Sequence, residues 1–402
     1  MKENQRSDGT RTSSNRSVVR REVTPSNAGR PVVAPLSPSV VYQYDNVDQL
    51  QSMYNGEIDG FGYARDGHPN AASLAEKISW LEKAPFGLMT ASGMSAIASV
   101  FLSCLEKGDK IAASSQLYGR SLNLTQQELP RMGFETAFFD ASDSSTFDQV
   151  IGPDTKIILA EVVSNPMLRI TDFEKLAEKA REVGALLLID NTFTTPNGFN
   201  PLEHGADLVM HSVTKMLSGH SDLNLGYIGG KDETLMARLA ETISIFGLNS
   251  SPYNCWMAER GLHTFDLRYR QAQQNASQLA RFLKEQPNVL KVIYPDLGDH
   301  PDREMAEKYL KNGFGSMVSF VLAGERDQAN AFISAAKNIP YCPTLGDVST
   351  MVIIPSVSSH RKLSREERLA LGIEDNLVRI SVGIEDFDLI RNDFSVAIKA
   401  AE

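Results

Sequence analysis

Two charged side chains stand where apolar runs end. Lys215 lies in Ser212-Val213-Thr214-Lys215, directly after an apolar stretch closing at His211, and Asp190 ends the run Ala185 to Ile189. A lysine at a strand's exit can bind a carbonyl cofactor as an imine when its neighbours lower its pKa. The hydroxyls of Ser212 and Thr214 could hold a phosphate beside it. Each feature alone has a plainer reading, a solvated loop lysine and a capping or turn aspartate. Their spacing joins them, because such chemistry needs both the amine and an acid facing the cofactor's ring nitrogen.

A third feature is Ser92-Gly93-Met94, which follows the apolar run Phe86 to Thr90 and opens a helix to about Leu105. Free backbone N–H groups at a helix N-terminus attract anions, so this turn is either a phosphate cradle or a plain strand-to-helix turn. No GxGxxG follows a strand and no GxxxxGK[ST] occurs, which removes the usual arguments for dinucleotides or nucleoside triphosphates. The seven histidines form no HExxH. His204, His211 and His220 read as structural or loop residues, and no metal is expected.

The elements that position these residues alternate. Candidate strands are Phe86 to Thr90, Lys110 to Ser114, Glu135 to Phe139, Ile157 to Glu161, Ala185 to Asp190, Ala206 to His211 and Gly226 to Gly229. They are apolar on both faces, which predicts an α/β fold with a mostly parallel sheet covered by helices. Phe173, Leu176, Ala177 and Ala180 fall on one helical face, and Thr171 with Glu174 predicts a capping box at its start. In such sheets ligands collect beyond the carboxyl ends of the strands, which directs attention to Glu161, Asp190 and the turn after His211.

After about Arg260 the pattern becomes a long helix to roughly Lys284, then separated strands at Val292 to Tyr294, Gly315 to Leu322 and Val378 to Val382. The expected organisation is a disordered arm over 1–30, an extended segment over 31–62, a cofactor domain over 63–260 and a smaller α+β domain over 261–402. The 402 residues allow two or three domains and a large core.

A net charge of -10 disfavours a nucleic-acid footprint. No apolar run approaches the about 20 residues needed to cross a bilayer. Cys104, Cys255 and Cys342 are widely spaced, odd in number and without a CxxC pair, which fits a reducing cytoplasm.

Taken together the motifs resemble the Cys/Met-metabolism family of fold-type I pyridoxal 5′-phosphate (PLP) enzymes, which includes cystathionine γ-lyase, cystathionine γ-synthase, methionine γ-lyase and O-acetylhomoserine sulfhydrylase. The resemblance runs from about Pro31 to the C-terminus. It is carried by Tyr63-Ala64-Arg65, Ser92-Gly93-Met94, Tyr118-Gly119, Glu161 with Asn165-Pro166, Asp190-Asn191-Thr192, Ser212 to Lys215 with Gly219-His220, and Leu377-Val378-Arg379 with Ser381-Val382-Gly383.

The resemblance implies that Lys215 carries the cofactor and shuttles protons, Asp190 pairs with its ring nitrogen and Tyr118 stacks on the ring. Gly93, Met94, Ser212 and Thr214 would bind the phosphate, and Asn165 the ring's 3′-oxygen. Tyr63 and Arg65 would reach in from a neighbouring subunit, which implies a dimer, usually doubled to a tetramer. Arg379 would grip the substrate α-carboxylate, and Thr344 replaces the serine usual at its position. The expected reaction is γ-elimination on a sulfur-containing L-amino acid, with γ-replacement or a methionine γ-lyase activity as alternatives, and a catalytically silent PLP-fold binding protein outside the class. Three positions depart from the pattern. Gly62 and Pro343 stand where cystathionine γ-lyases have acids, and Arg120 follows Tyr118-Gly119 where methionine γ-lyases have cysteine. Arg120 either meets an acidic substrate tail or points into solvent.

Overall fold

The computed structural model describes residues 29–402, so nearly all of the expected arm lies outside the described residues. The chain divides into a short unit, Met1–Pro35, and a large one, Leu36–Glu402. The large unit begins with α1 (Val47–Tyr54), an eight-residue helix capped by the Asn46 side chain, inside the stretch the sequence reads as extended. The helix α2 (Pro69–Glu82) follows, with the His68 imidazole accepting the Ala71 N–H.

A seven-stranded sheet then forms in the order β1 (Phe86–Thr90), β7 (Gly226–Gly230), β6 (Leu208–Ser212), β5 (Leu186–Asp190), β4 (Thr155–Glu161), β2 (Lys110–Ser114) and β3 (Glu135–Phe139). All pairs from β6 to β3 are parallel, whereas β7 runs antiparallel to both its neighbours. The fold is therefore the doubly covered, mostly parallel α/β sheet expected from the apolar runs. Leu187, Leu188 and Ile189 of β5 are all fully buried, as a strand with helices on both faces requires.

A second sheet of four antiparallel strands has the order β10 (Met351–Ile353), β11 (Leu377–Ser381), β9 (Met317–Leu322) and β8 (Val289–Ile293). Its face packs on the helices Phe265–Lys284, Arg326–Ala335 and Phe387–Ala400 through Leu279, Phe320, Phe332 and Phe394. The long helix expected after about Arg260 is Phe265–Lys284, and a separate helix, Pro252–Leu262, precedes it across His263 and Thr264.

The capping box predicted from Thr171 and Glu174 does not form. The helix Phe173–Val183 starts at Asp172 with no side-chain cap, the Thr171 hydroxyl donates to the Glu161 carbonyl at 2.6 Å, and the Glu174 N–H donates to the Tyr309 hydroxyl. Tertiary partners won that competition. The predicted face is nonetheless correct, since Phe173, Leu176, Ala177 and Ala180 are its buried residues.

The turn carrying Lys215 is braced from behind by Arg268. Its buried guanidinium donates to the carbonyls of Met216 at 2.8 Å, Leu217 at 3.1 Å and Gly261 at 2.8 Å, and its loss of water lowers its pKa to about 10. Replacing it leaves the Met216 and Leu217 carbonyls short of donors, while Gly261 keeps the N–H and hydroxyl of Thr264. Arg268→Met is expected to destabilise the protein by about 2–4 kcal/mol, read as a lower urea midpoint at unchanged slope; an unchanged midpoint would show that water substitutes for the guanidinium.

Candidate active site

The carboxyl ends of β4, β5 and β6 open onto one cavity of about 560 Å³. Lys215 projects into it from the turn after β6. Its Nζ lies 3.0 Å from the Thr344 hydroxyl, and it has no carboxylate partner among the described residues. Burial pushes the Lys215 ammonium below its ordinary value, and the nearby positive charge of Arg379 adds to this. Such a lysine holds a larger share of neutral, nucleophilic amine near pH 7 than a surface lysine.

Two carboxyl groups face it. Glu161 and Asp190 end adjacent parallel strands in direct register. Burial raises the pKa of Glu161 well above the usual carboxylate range, and the neighbouring Asp190 adds to it. Its Oε1 accepts the Tyr118 N–H at 2.6 Å, which fixes that tyrosine at the start of α4 (Gly119–Asn123). Burial also raises the Asp190 carboxyl; the Thr192 N–H and hydroxyl and the charge of His211 pull it back. A desolvated carboxylate with no cation bonded to it stands where a protonated ring nitrogen would satisfy it.

The phosphate end of the site fits equally well. Ser92 caps α3 (Gly93–Cys104) by accepting the Ser95 N–H, leaving the N–H groups of Gly93 and Met94 at the head of the helix without intrahelical partners. Ser212 lies so close that a Cβ on Gly93 would stand 2.9 Å from the Ser212 Cβ, so only glycine lets the two backbones form one concave wall. The Ser212 backbone is held by the Thr192 hydroxyl at 2.8 Å. The Thr214 hydroxyl bonds the backbone of Leu225, accepting its N–H at 3.0 Å.

On the opposite wall Arg379, in β11, is buried. Its Nη1 donates to the Asn165 side-chain oxygen at 3.0 Å, its Nη2 to the Thr344 carbonyl at 2.8 Å, and its Nε has no partner among the described residues. Burial lowers its pKa to about 10, which still leaves it charged at neutral pH. A buried guanidinium with an unmet donor facing a cavity is a receptor for a carboxylate. A lysine for an imine, an acid for a ring nitrogen and a phosphate cradle thus share one cavity with a carboxylate receptor.

The Cys/Met metabolism PLP-dependent enzyme family matches this chain over residues 16–399. The chain belongs to that family. It is 38% identical to the cystathionine beta-lyase of Bacillus subtilis over 85% of this chain and 87% of the relative, and 36% identical to the cystathionine gamma-lyase of the same organism over 89% and 93%. It is 34% identical to the O-succinylhomoserine sulfhydrylase of Pseudomonas aeruginosa over 89% of both chains. Among solved structures it superposes on cystathionine gamma synthase from Xanthomonas oryzae with a TM-score of 0.87 at 34% identity, covering 92% of this chain and 93% of that one. A putative O-acetylhomoserine (thiol)-lyase from Campylobacter jejuni, which carries a pyridoxyl-lysine monophosphate, matches with a TM-score of 0.89 at 26% identity over 94% and 97%. The chain is accordingly a PLP-dependent enzyme of the trans-sulfuration type with an amino-acid substrate, and among its described residues no helix is long and apolar enough to cross a membrane.

Of the residues singled out in the sequence, Gly93, Met94, Tyr118, Arg120, Asn165, Asp190, Ser212, Thr214, Lys215, Thr344 and Arg379 all line this cavity. Tyr63 and Arg65 do not. They stand together on the surface, the Arg65 guanidinium 5.1 Å from the centre of the half-exposed Tyr63 ring. Of the departing positions Pro343 lines the cavity, whereas Gly62 packs against Tyr54, where a Cβ would come 2.9 Å from the tyrosine hydroxyl oxygen. Arg361 and Lys362 also line the cavity and were missed, because their loop has no motif or period and reaches the site only through folding.

The low Lys215 pKa has a measurable sign. Imine formation needs the neutral amine, so the rate at which apoenzyme takes up PLP is expected to reach half its plateau below the ordinary lysine pKa. Arg379→Met removes a like charge and is expected to move that half-point upward, followed by cofactor absorbance across a pH series; a downward move would contradict this electrostatic assignment.

Proposed function

We propose that this enzyme breaks a bond at Cγ of an L-amino acid, with γ-elimination from a sulfur-containing substrate as the first reading and γ-replacement by a thiol as the second. The observation that carries the proposal is the placement of Lys215 and Arg379, both in contact with Thr344 on one side of a cavity that continues well past them. PLP, when bound, supplies the electron sink that makes the Cα and Cβ protons acidic.

The chain's own residues do the rest. Arg379 holds the α-carboxylate in a fork already oriented by Asn165 and Thr344, which fixes the direction of the Cα–H bond. Lys215 would carry the cofactor and serve as the base that takes the Cα proton and delivers it further along the substrate. The Thr344 hydroxyl, 3.0 Å from Nζ, steers that amine. Asp190 would hold the cofactor's ring nitrogen protonated, and Tyr118, held by Glu161, would flank the ring and serve as acid or base toward the departing group. Gly93, Met94, Ser212 and Thr214 would hold the phosphate, and Asn165 would bind the ring's 3′-oxygen. Arg120 meets the far end of the substrate.

We read residues 63–260 as the cofactor domain, 261–402 as the smaller domain and 31–62 as the segment that meets a neighbouring subunit. The half-exposed Tyr63 and Arg65, together with the exposed Val40, Val41 and Val47 nearby in sequence, support a dimer in which each subunit completes the other's site. The three free cysteines suit a reducing compartment such as the cytoplasm.

Incubated with L-cystathionine, PLP-loaded enzyme is expected to give cysteine, 2-oxobutyrate and ammonia by mass spectrometry, and Lys215→Ala to lose at least about a thousandfold in kcat. Homocysteine with pyruvate would instead mean cleavage at Cβ and would overturn the reading. The shared site has its own test. Lys215→Ala and Arg65→Ala proteins, each nearly inactive, are expected to regain about a quarter of wild-type activity when unfolded and refolded as an equal mixture, since half the dimers are mixed and one site of two is intact in each. No recovery would place Arg65 in its own subunit's site.

A further inference from the structure

We propose that Asp302, with Arg169 and Ser319, positions Asn165, so that a clamp outside the cavity sets how tightly Arg379 grips the substrate's α-carboxylate. This role rests on the reading of Arg379 and Asn165 given above.

Asn165 needs such support. Its side chain makes one hydrogen bond among the described residues, accepting from Arg379 Nη1 at 3.0 Å, so its place is set by its backbone. That backbone is the tip of a narrow hairpin after β4. Val163 and Ile170 form an isolated antiparallel bridge, the Ser164 N–H donates to the Arg169 carbonyl at 2.9 Å, and the Leu168 N–H closes the turn on the Ser164 carbonyl at 3.0 Å. Leu168 is buried at a φ of 52°, a left-handed conformation that such a residue keeps only where its surroundings hold it. So short a hairpin does not hold its tip unaided.

The holding groups come from the part of the chain that builds the second sheet. Asp302, directly before the helix Arg303–Tyr309, is buried and takes three donors from the hairpin: Arg169 Nε at 2.6 Å, Arg169 Nη2 at 2.9 Å and the Ile170 N–H at 2.9 Å. The first two form a bidentate fork, which fixes direction as well as distance. The N–H of Asp302 donates to His300 Nδ1 at 3.2 Å, which ties the backbone of the acid itself. Beside the tip, the buried Ser319 hydroxyl of β9 donates to the Pro166 carbonyl at 2.7 Å.

Strand register links this clamp to the site. Ser319 is paired directly with Arg379 across β9 and β11, so facing residues of one sheet hold consecutive residues of one turn, Ser319 taking Pro166 and Arg379 taking Asn165. Asp302, Arg169 and Ser319 are not among the residues that line the cavity, whereas Asn165 and Arg379 are. Their effect on the reaction therefore passes through Asn165. A shift of the tip would draw Asn165 off Nη1 and turn the fork, weakening its hold on a carboxylate.

The test reads carboxylate binding apart from turnover. Holoenzyme is titrated with L-alanine, followed by the cofactor's visible absorbance, and with L-alaninamide, which lacks the carboxylate. Asp302→Asn is expected to weaken L-alanine binding at least about fivefold and Ser319→Ala about threefold, with L-alaninamide changed less than about twofold in both. In an Asn165→Ala background Asp302→Asn is expected to add less than about twofold, because both changes act through one contact. The pH midpoint of the cofactor band is expected to move in Asp302→Asn with the sign seen in Asn165→Ala. Unchanged L-alanine binding, effects that add in the double variant, a midpoint that moves the other way, or equal weakening of alanine and its amide would overturn the clamp and leave Arg379 as the receptor. If Asp302→Asn does not fold, Ser319→Ala, which removes a single hydroxyl, carries the same comparisons. Should Arg379→Met itself leave L-alanine binding unchanged, the carboxylate reading falls and the clamp with it.

Discussion

The guanidinium of Arg379 is the point at which the two sheets are tied. It extends from β11 of the four-stranded sheet, donates to Asn165 in the loop after β4 of the seven-stranded sheet, and donates again to the carbonyl of Thr344, whose hydroxyl meets Lys215. A buried cation is costly unless its donors are met, so this arrangement holds the two sheets in one relation and leaves one buried donor, Nε, without a partner among the described residues. The same positive charge adds to the burial that lowers the Lys215 ammonium's pKa, which couples carboxylate recognition to the reactive amine.

Behind the floor of the cavity a second polar cluster carries the load. Glu82, at the end of α2 and without exposure, bonds His211 of β6 and receives the Asn191 side-chain N–H at 2.7 Å. Asn191 also donates to the Phe199 carbonyl. Neighbouring residues on a strand point to opposite faces, so Asp190 turns to the cavity while the residue after it is anchored among buried groups on the far side of the sheet. The acid that faces the cofactor's ring is thus positioned from a place the cofactor never reaches.

Much of this was legible from spacing. Strands buried on both faces read as continuous apolar runs, and β1, β2 and β3 fall within the predicted limits, with β5, β6 and β7 shifted by one or two residues. The short strand β10 was missed because three residues, Met351 to Ile353, carry no period. The capping box failed for a different reason. Its sequence signature was present, but the Thr171 hydroxyl found a buried carbonyl, Glu161, more than an N-cap's worth of residues away, and a satisfied interior acceptor outweighs a cap on a solvated helix end.

Local pattern therefore determined which elements form, and the order of strand-end residues determined which chemistry the chain could carry, because Lys215, Asp190 and Ser92-Gly93-Met94 each follow an apolar run and strand ends converge in a parallel sheet. What only the tertiary structure decided is who meets whom across long separations. Arg379 reaches Asn165 across 214 positions and Lys362 reaches Asn123 across 239. No period or motif records such pairs, since they depend on how one sheet packs beside the other and on backbone approaches of the kind Gly93 allows. The charge environments that lower Lys215 and raise Glu161 belong to the same class, because desolvation is a property of the assembled cavity and not of any segment that lines it.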